Sequence, residues 1–94
     1  MDTYTLYPCD EAKRRITLAA LHLDFADAAL VFAGRTLALP DTRRAYGEQR
    51  FITAGWLRGR FVVVVRTPRG GRRRIISMRH GHADGQTWFI DQLD

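Results

Sequence analysis

The sequence predicts an α+β fold: a small antiparallel β-sheet packed against an N-terminal helical hairpin. Two observations predict it. Residues 46–80, YGEQRFITAGWLRGRFVVVVRTPRGGRRRIISMRH, hold three runs rich in aromatic and β-branched residues, joined by Leu57-Arg58-Gly59 and by Pro68-Arg69-Gly70-Gly71. Connections this short join antiparallel neighbours, because a parallel crossover needs a dozen or more residues. Upstream, residues 11–33 repeat their apolar side chains at helical spacing.

Each element has its own signal. Thr3–Tyr7 alternates and reads as a first strand, held to a sheet edge by Pro8. Asp10 is a helix N-cap, with Lys13 where a full capping box would have Glu. In EAKRRITLAALHL, Ala12, Ile16, Ala19, Ala20 and Leu23 fall on one helical stripe, which turns Lys13, Arg14 and Arg15 outward. Asp24 caps a second helix, FADAALVFA, with Phe25, Ala28, Ala29 and Phe32 on its inner face, and Gly34 stops it. Thr36–Leu39 is a brief strand before Pro40-Asp41 turns the chain. On the first meander strand, Arg50, Ile52, Ala54 and Trp56 oppose Gln49, Phe51 and Thr53. On the third, strict alternation sets Arg73, Ile75, Ser77 and Arg79 against Arg74, Ile76 and Met78. The tail QTWFIDQLD reads as one or two helical turns, with Trp88, Phe89 and Leu93 docking on an apolar surface.

Length and composition narrow the function classes. Ninety-four residues make one small domain, 1–94. No run approaches the ~18–20 apolar residues of a membrane span. The N-terminus MDTYTLYPCDE has no basic and apolar leader pattern, so the expected location is cytoplasmic, without membrane contact. A single cysteine, Cys9, excludes an intramolecular disulfide and a cysteine metal cluster. It precedes a helix start, where a thiolate can be stabilised, although packing is its simpler role. His80-Gly81-His82 supplies too few ligands for a structural metal. Arg69-Gly70-Gly71-Arg72 has no helix after it and is a hairpin turn, not a phosphate loop. No nucleophile signature is present. The expectation is therefore no metal and no cofactor.

Charge is unevenly placed. Residues 1–42 carry a net −2, and residues 43–94 carry eleven arginines against four acids, a net +7. Genomic base composition can raise arginine content, but it does not gather arginines in the sheet half. A concentrated positive field in a small domain favours a polyanionic partner, nucleic acid or an acidic protein. Arginine planes stack on bases and clamp phosphates in bidentate fashion. The competing reading is an antiparallel sheet with arginines on its wet side, and residue chemistry alone does not separate the two.

A series of motifs occurs in order: Asp10-Glu11-Ala12-Lys13, Phe25-x-x-Ala28, Asp41-x-Arg43-x-x-Tyr46-Gly47-Glu48-x-Arg50, the valine strand, Arg69-Gly70-Gly71 and Arg74-Ile75-Ile76-Ser77-x-Arg79. In this order and separation the chain resembles the BrnT family from about residue 9 to 80. That resemblance implies a RelE-like fold and the toxin role in a bacterial type II toxin–antitoxin module. It implies a ribonuclease, neutralised by a partner antitoxin of the BrnA kind. The chain departs from the family where Asn-Leu-x-Lys-His-Gly is usual: here stand Thr17-Leu18-Ala19-Ala20-Leu21-His22. Arg66-Thr67-Pro68 replaces a usual Tyr-Thr-Glu, His80 replaces a usual lysine, and the tail is not basic.

Arginine chemistry and resemblance together lead to an expected reaction. The ribose 2′-OH attacks the adjacent phosphate without a metal and leaves a 2′,3′-cyclic phosphate. This needs a proton acceptor, a proton donor and cations for the phosphorane. Arg50, Arg69 and Arg79 are the candidates for phosphate stabilisation. His80 is the candidate for proton transfer, since histidine titrates near pH ~6.5. Glu48 is the alternative base, or else a structural partner for a neighbouring arginine. Arg43, Arg44, Tyr46, Arg66 and Arg74 are the candidates for holding RNA. The expected partner is a BrnA-like antitoxin encoded beside the chain, which covers the basic face in a hetero-oligomer and alone carries any operator DNA binding. Trp88 and Phe89 either meet that partner or pack on the protein's own sheet. The competing class is a catalytically degenerate BrnT-like binding module, favoured by the missing Lys-His pair.

Overall fold

Four consecutive valines, Val62 to Val65, are all buried, two on each face of an antiparallel sheet. A central strand covered on both sides needs apolar residues at every position, which is why this run does not alternate. The computed structural model describes residues 8–43, 45 and 47–93. The expected strand at Thr3–Tyr7, the candidates Arg44 and Tyr46, and the side chain of Leu93 lie outside the described residues. Among these residues the strands are β1 (Leu37–Pro40), β2 (Phe51–Leu57), β3 (Arg60–Arg69) and β4 (Arg72–His80), in the order β1-β2-β3-β4. Every pairing is antiparallel. Three helices accompany them: α1 (Glu11–Leu21), α2 (Ala28–Ala33) and α3 (Ala83–Leu93). The class is α+β, as the sequence predicts.

Two half-cores sandwich the sheet. On one face Leu57, Val62, Val64, Ile75 and Met78 meet Leu23, Phe25, Ala28 and Val31 from the helical segment. Gly55 admits α2 here, because a Cβ at that position would lie 2.9 Å from the Val31 side chain. On the other face Phe61, Val63 and Phe89 of α3 pack with Leu37, Ile52, Ala54 and Trp56. The Trp56, Phe61 and Phe89 rings are 5.3–6.2 Å apart. Fully burying a phenylalanine such as Phe89 contributes ~1.5–3 kcal/mol. Of the two tail aromatics, Phe89 docks on the sheet and Trp88 stays 46% exposed.

Four expectations need correction. α1 buries no residue, and Ile16 on the expected inner stripe is 67% exposed. Polar ties decide which side faces inward: Arg14 bonds Asp24, and the Leu21 carbonyl meets His80. Leu23 is buried only after His22 has turned the chain through a left-handed C-cap with φ 57°. The second helix is not continuous either. Asp24 caps a single 3-10 turn, Phe25–Asp27, and α2 follows as a short α-helix. The tail is longer than expected, with 11 residues or about three turns in α3.

The fourth correction governs the site. Val65 pairs with Ser77, yet Arg66 pairs with Ile75, so Ile76 is an extra residue in β4. This β-bulge breaks the expected alternation. Ile75 and Met78 now share the helix-covered core, and Arg73 lies over Phe32 on that same side. Ser77 and Arg79, opposite Val65 and Val63, belong to the α3 face.

Candidate functional site

The end of the sheet around the β3–β4 hairpin collects the arginines. β2 stops at the Phe51–Arg66 pair, while β3 and β4 continue to Arg69 and Arg72. Pro68 is tolerated there because β2 no longer flanks it. Gly70 and Gly71 close the hairpin with φ of 59° and 79°, values that favour glycine. Arg50, Arg66, Arg69, Arg72, Arg73 and Arg74 therefore surround one strand end.

Glu48 sits among them. Its carboxylate accepts a hydrogen bond from Arg50 Nε at 3.1 Å and another from an Arg69 terminal nitrogen at 3.2 Å. Two guanidiniums around one carboxylate leave one net positive charge at a partly exposed position. The arrangement can orient a carboxylate oxygen and present cations to a phosphate. Close by, the Asp41 carboxylate is buried and takes both Arg43 Nε and an Arg43 terminal nitrogen at 2.8 Å, a bidentate pair that fixes the strand connection.

Arg66 and Arg73 use aromatic rings instead of carboxylates. The Arg66 guanidinium carbon is 4.8 Å from the Phe51 ring centre and 5.8 Å from that of Phe32; that of Arg73 is 4.3 Å from Phe32. Arg66 Nε also donates to Thr53 Oγ1 at 3.4 Å. Burial, and then the charge of Arg73, push the Arg66 pKa down from the usual arginine range. Arg74 is half-buried, opposite Thr67.

His80 and Arg79 lie elsewhere. His80 pairs with Val62, seven residues along β3 from Arg69, a separation of ~23 Å at ~3.3 Å per residue. Its Nε2 donates to the Leu21 carbonyl at 3.0 Å and so caps the C-terminal end of α1. Arg79 bonds the His80 carbonyl at 3.3 Å. It lines an apolar groove of about 380 Å³ with Leu37, Leu39, Phe61 and Trp88. Of the five residues expected to act together, the structure assembles Glu48, Arg50 and Arg69 and leaves Arg79 and His80 at the far end. Cys9 forms a parallel bridge with Ile75, and burial pushes its thiol pKa up, with Glu11 adding to the effect. That is the opposite of a reactive thiolate.

The residues missed by sequence reading are Arg73, its ring partner Phe32, and Phe51 beneath Arg66. The apolar spacing of Phe32 marks it as core, and strict alternation puts Arg73 on the same side as Arg79; only the bulge reverses that. Comparison with known proteins adds identity to this geometry. No curated protein matches the chain. Residues 9–84 do match a protein family, described as the ribonuclease toxin, BrnT, of type II toxin–antitoxin systems. The match runs from the Cys9 bridge, through the whole arginine-rich strand end, to the first turn of α3, and the chain belongs to the BrnT toxin family.

Proposed function

We propose that this chain is the toxin of an intracellular toxin–antitoxin pair and cleaves RNA at the arginine-rich end of its sheet, without a metal. The observation that carries the reading is Glu48 held between Arg50 and Arg69. Glu48 takes the proton of a ribose 2′-OH. The 2′-oxygen bonds to phosphorus, the bond to the 5′-oxygen breaks, and that oxygen takes a proton from solvent. The products are a 2′,3′-cyclic phosphate and a 5′-OH. Arg50 and Arg69 stabilise the charge that builds on the phosphorane, the kind of contact that counts most in a transition state. His80 is ~23 Å along the sheet, too far to serve the same phosphate. The partner is an adjacent-encoded, BrnA-like antitoxin whose acidic segment covers the basic end, in a complex with more than one copy of each chain.

A second reading has its own support. Glu48 is occupied by two arginines, and His80 is committed to α1. Both facts suit a domain that keeps antitoxin and nucleic-acid binding without cutting. Induced expression decides between the two readings. Growth arrest without the neighbouring gene, relieved by that gene and by Arg69→Met, supports the ribonuclease. Harmless expression of the native chain supports the binding-only module.

A further inference from the structure

We propose that Arg66 and Arg73 form a phosphate clamp that grips the RNA backbone on the helix-covered side of the sheet and feeds the strand to Glu48. The clamp presupposes the RNA-cleaving reading above. Both guanidiniums lie within 6 Å of the centre of the Phe32 ring, and Arg66 also lies over Phe51. A guanidinium that stacks through its face keeps its in-plane N–H edge available. Arg66 spends one donor on Thr53, and Arg73 has no hydrogen-bond partner among the described residues. Neither is paired with a carboxylate among those residues, since the nearby Asp41 and Glu48 are engaged by Arg43 and by Arg50 and Arg69.

Two like charges on one ring repel, and the depressed pKa of Arg66 reflects both its burial and the charge of Arg73. A bound anion removes that repulsion. Two arginine forks held over one ring suit the oxygens of a phosphodiester. The bulge at Ile76 makes the pair: without it, Arg73 would face the other side of the sheet. Arg69 lies three residues from Arg66, ~10 Å along β3 and on the opposite face, so an RNA strand held in the clamp reaches Glu48 by passing round the hairpin end of the sheet. An acidic protein segment is the alternative occupant, and the test separates the two.

The test measures binding of a fluorescent single-stranded RNA, made uncleavable by 2′-O-methyl groups, to the full chain across a salt series. Arg73→Gln changes an exposed side chain and is expected to melt like the native chain. Arg66→Gln/Arg73→Gln is expected to bind at least ten-fold more weakly. Its slope of log affinity against log salt should fall by about 0.7, the loss of one phosphate contact on a single strand. Glu48→Gln, having lost a negative charge, should bind at least as tightly yet fail to cut ordinary RNA. Native affinity and slope in both arginine variants would overturn the clamp, and the cleavage reading would stand if Glu48→Gln were inactive. The reverse pattern, weak binding in the arginine variants with full cutting by Glu48→Gln, supports the clamp and removes Glu48 from the chemistry. Arginine variants that keep RNA but no longer co-purify with the antitoxin would assign the pair to the protein partner instead.

Discussion

The proposed reaction concentrates its chemistry in one side chain, Glu48, whose two ion pairs are poor sources of stability. Both are partly exposed, and exposed pairs typically contribute ~0–1 kcal/mol. Glu48→Gln should therefore leave the melting temperature within a few degrees of native while RNA cleavage falls ~100-fold or more. A large drop in melting temperature would make Glu48 a structural residue. Asp24 is the reverse case. It accepts from Arg14 Nε at 2.7 Å and from the Ala26 N–H at 3.0 Å, tying α1 to the 3-10 turn. The Arg14 hydrogen bond holds the Asp24 carboxyl below its ordinary 3.8, outweighing burial. The unfolded state then binds the proton more readily than the folded state. This stabilisation is complete above the unfolded value of ~3.9 and is lost as pH falls through the lower folded value. Asp24→Asn should cost about 1–2 kcal/mol at neutral pH. It should also flatten the loss of stability below pH ~4 in acid titrations followed by circular dichroism. An unchanged acid profile would mean the pair contributes nothing.

At the level of elements, the meander was legible because its signals are local. Leu57-Arg58-Gly59 and Arg69-Gly70-Gly71 are turn chemistry, and they set the valine run between two antiparallel neighbours. The helical starts at Asp10 and Asp24 were legible for the same reason. What the sequence hid depends on partners distant in the chain. Nothing in Arg74-Ile75-Ile76-Ser77 announces a bulge, since the extra residue exists only relative to β3. Nor does the apolar stripe of α1 reveal that Arg14, Asp24 and His80 orient that helix instead. The approach to α3 rests on a contact equally invisible in sequence. A Cβ on Gly81 would overlap the Phe61 ring, and the Gly81 N–H donates to the Phe61 carbonyl. Gly81→Ala must push Phe61 out of its cluster with Trp56 and Phe89, at a cost of about 1–3 kcal/mol. Thermal melting followed by tryptophan fluorescence reads both the loss of stability and the altered surroundings of Trp56. A native melting curve would show that the Phe61 ring shifts freely.

Over the whole molecule, the sequence shows the charge asymmetry but not its layout. The +7 half folds so that six arginines gather at one strand end, with Glu48 among them. The motif residues Glu48, Arg50 and Arg69 converge there although 21 positions separate Glu48 from Arg69. Arg79, part of the same linear pattern, and His80 beside it are carried to the far end because β4 runs antiparallel to β3. Linear motifs thus identified the family while leaving open which of their residues share one phosphate. The direct measurement is the chemistry of the cut ends. The purified chain is incubated with single-stranded RNA in excess EDTA, and the products are identified by mass spectrometry beside an all-deoxy strand of the same sequence. Fragments ending in 2′,3′-cyclic phosphate and 5′-OH, with the deoxy strand intact, are the predicted result. Loss of cleavage in EDTA, or equal cutting of the deoxy strand, would contradict the account.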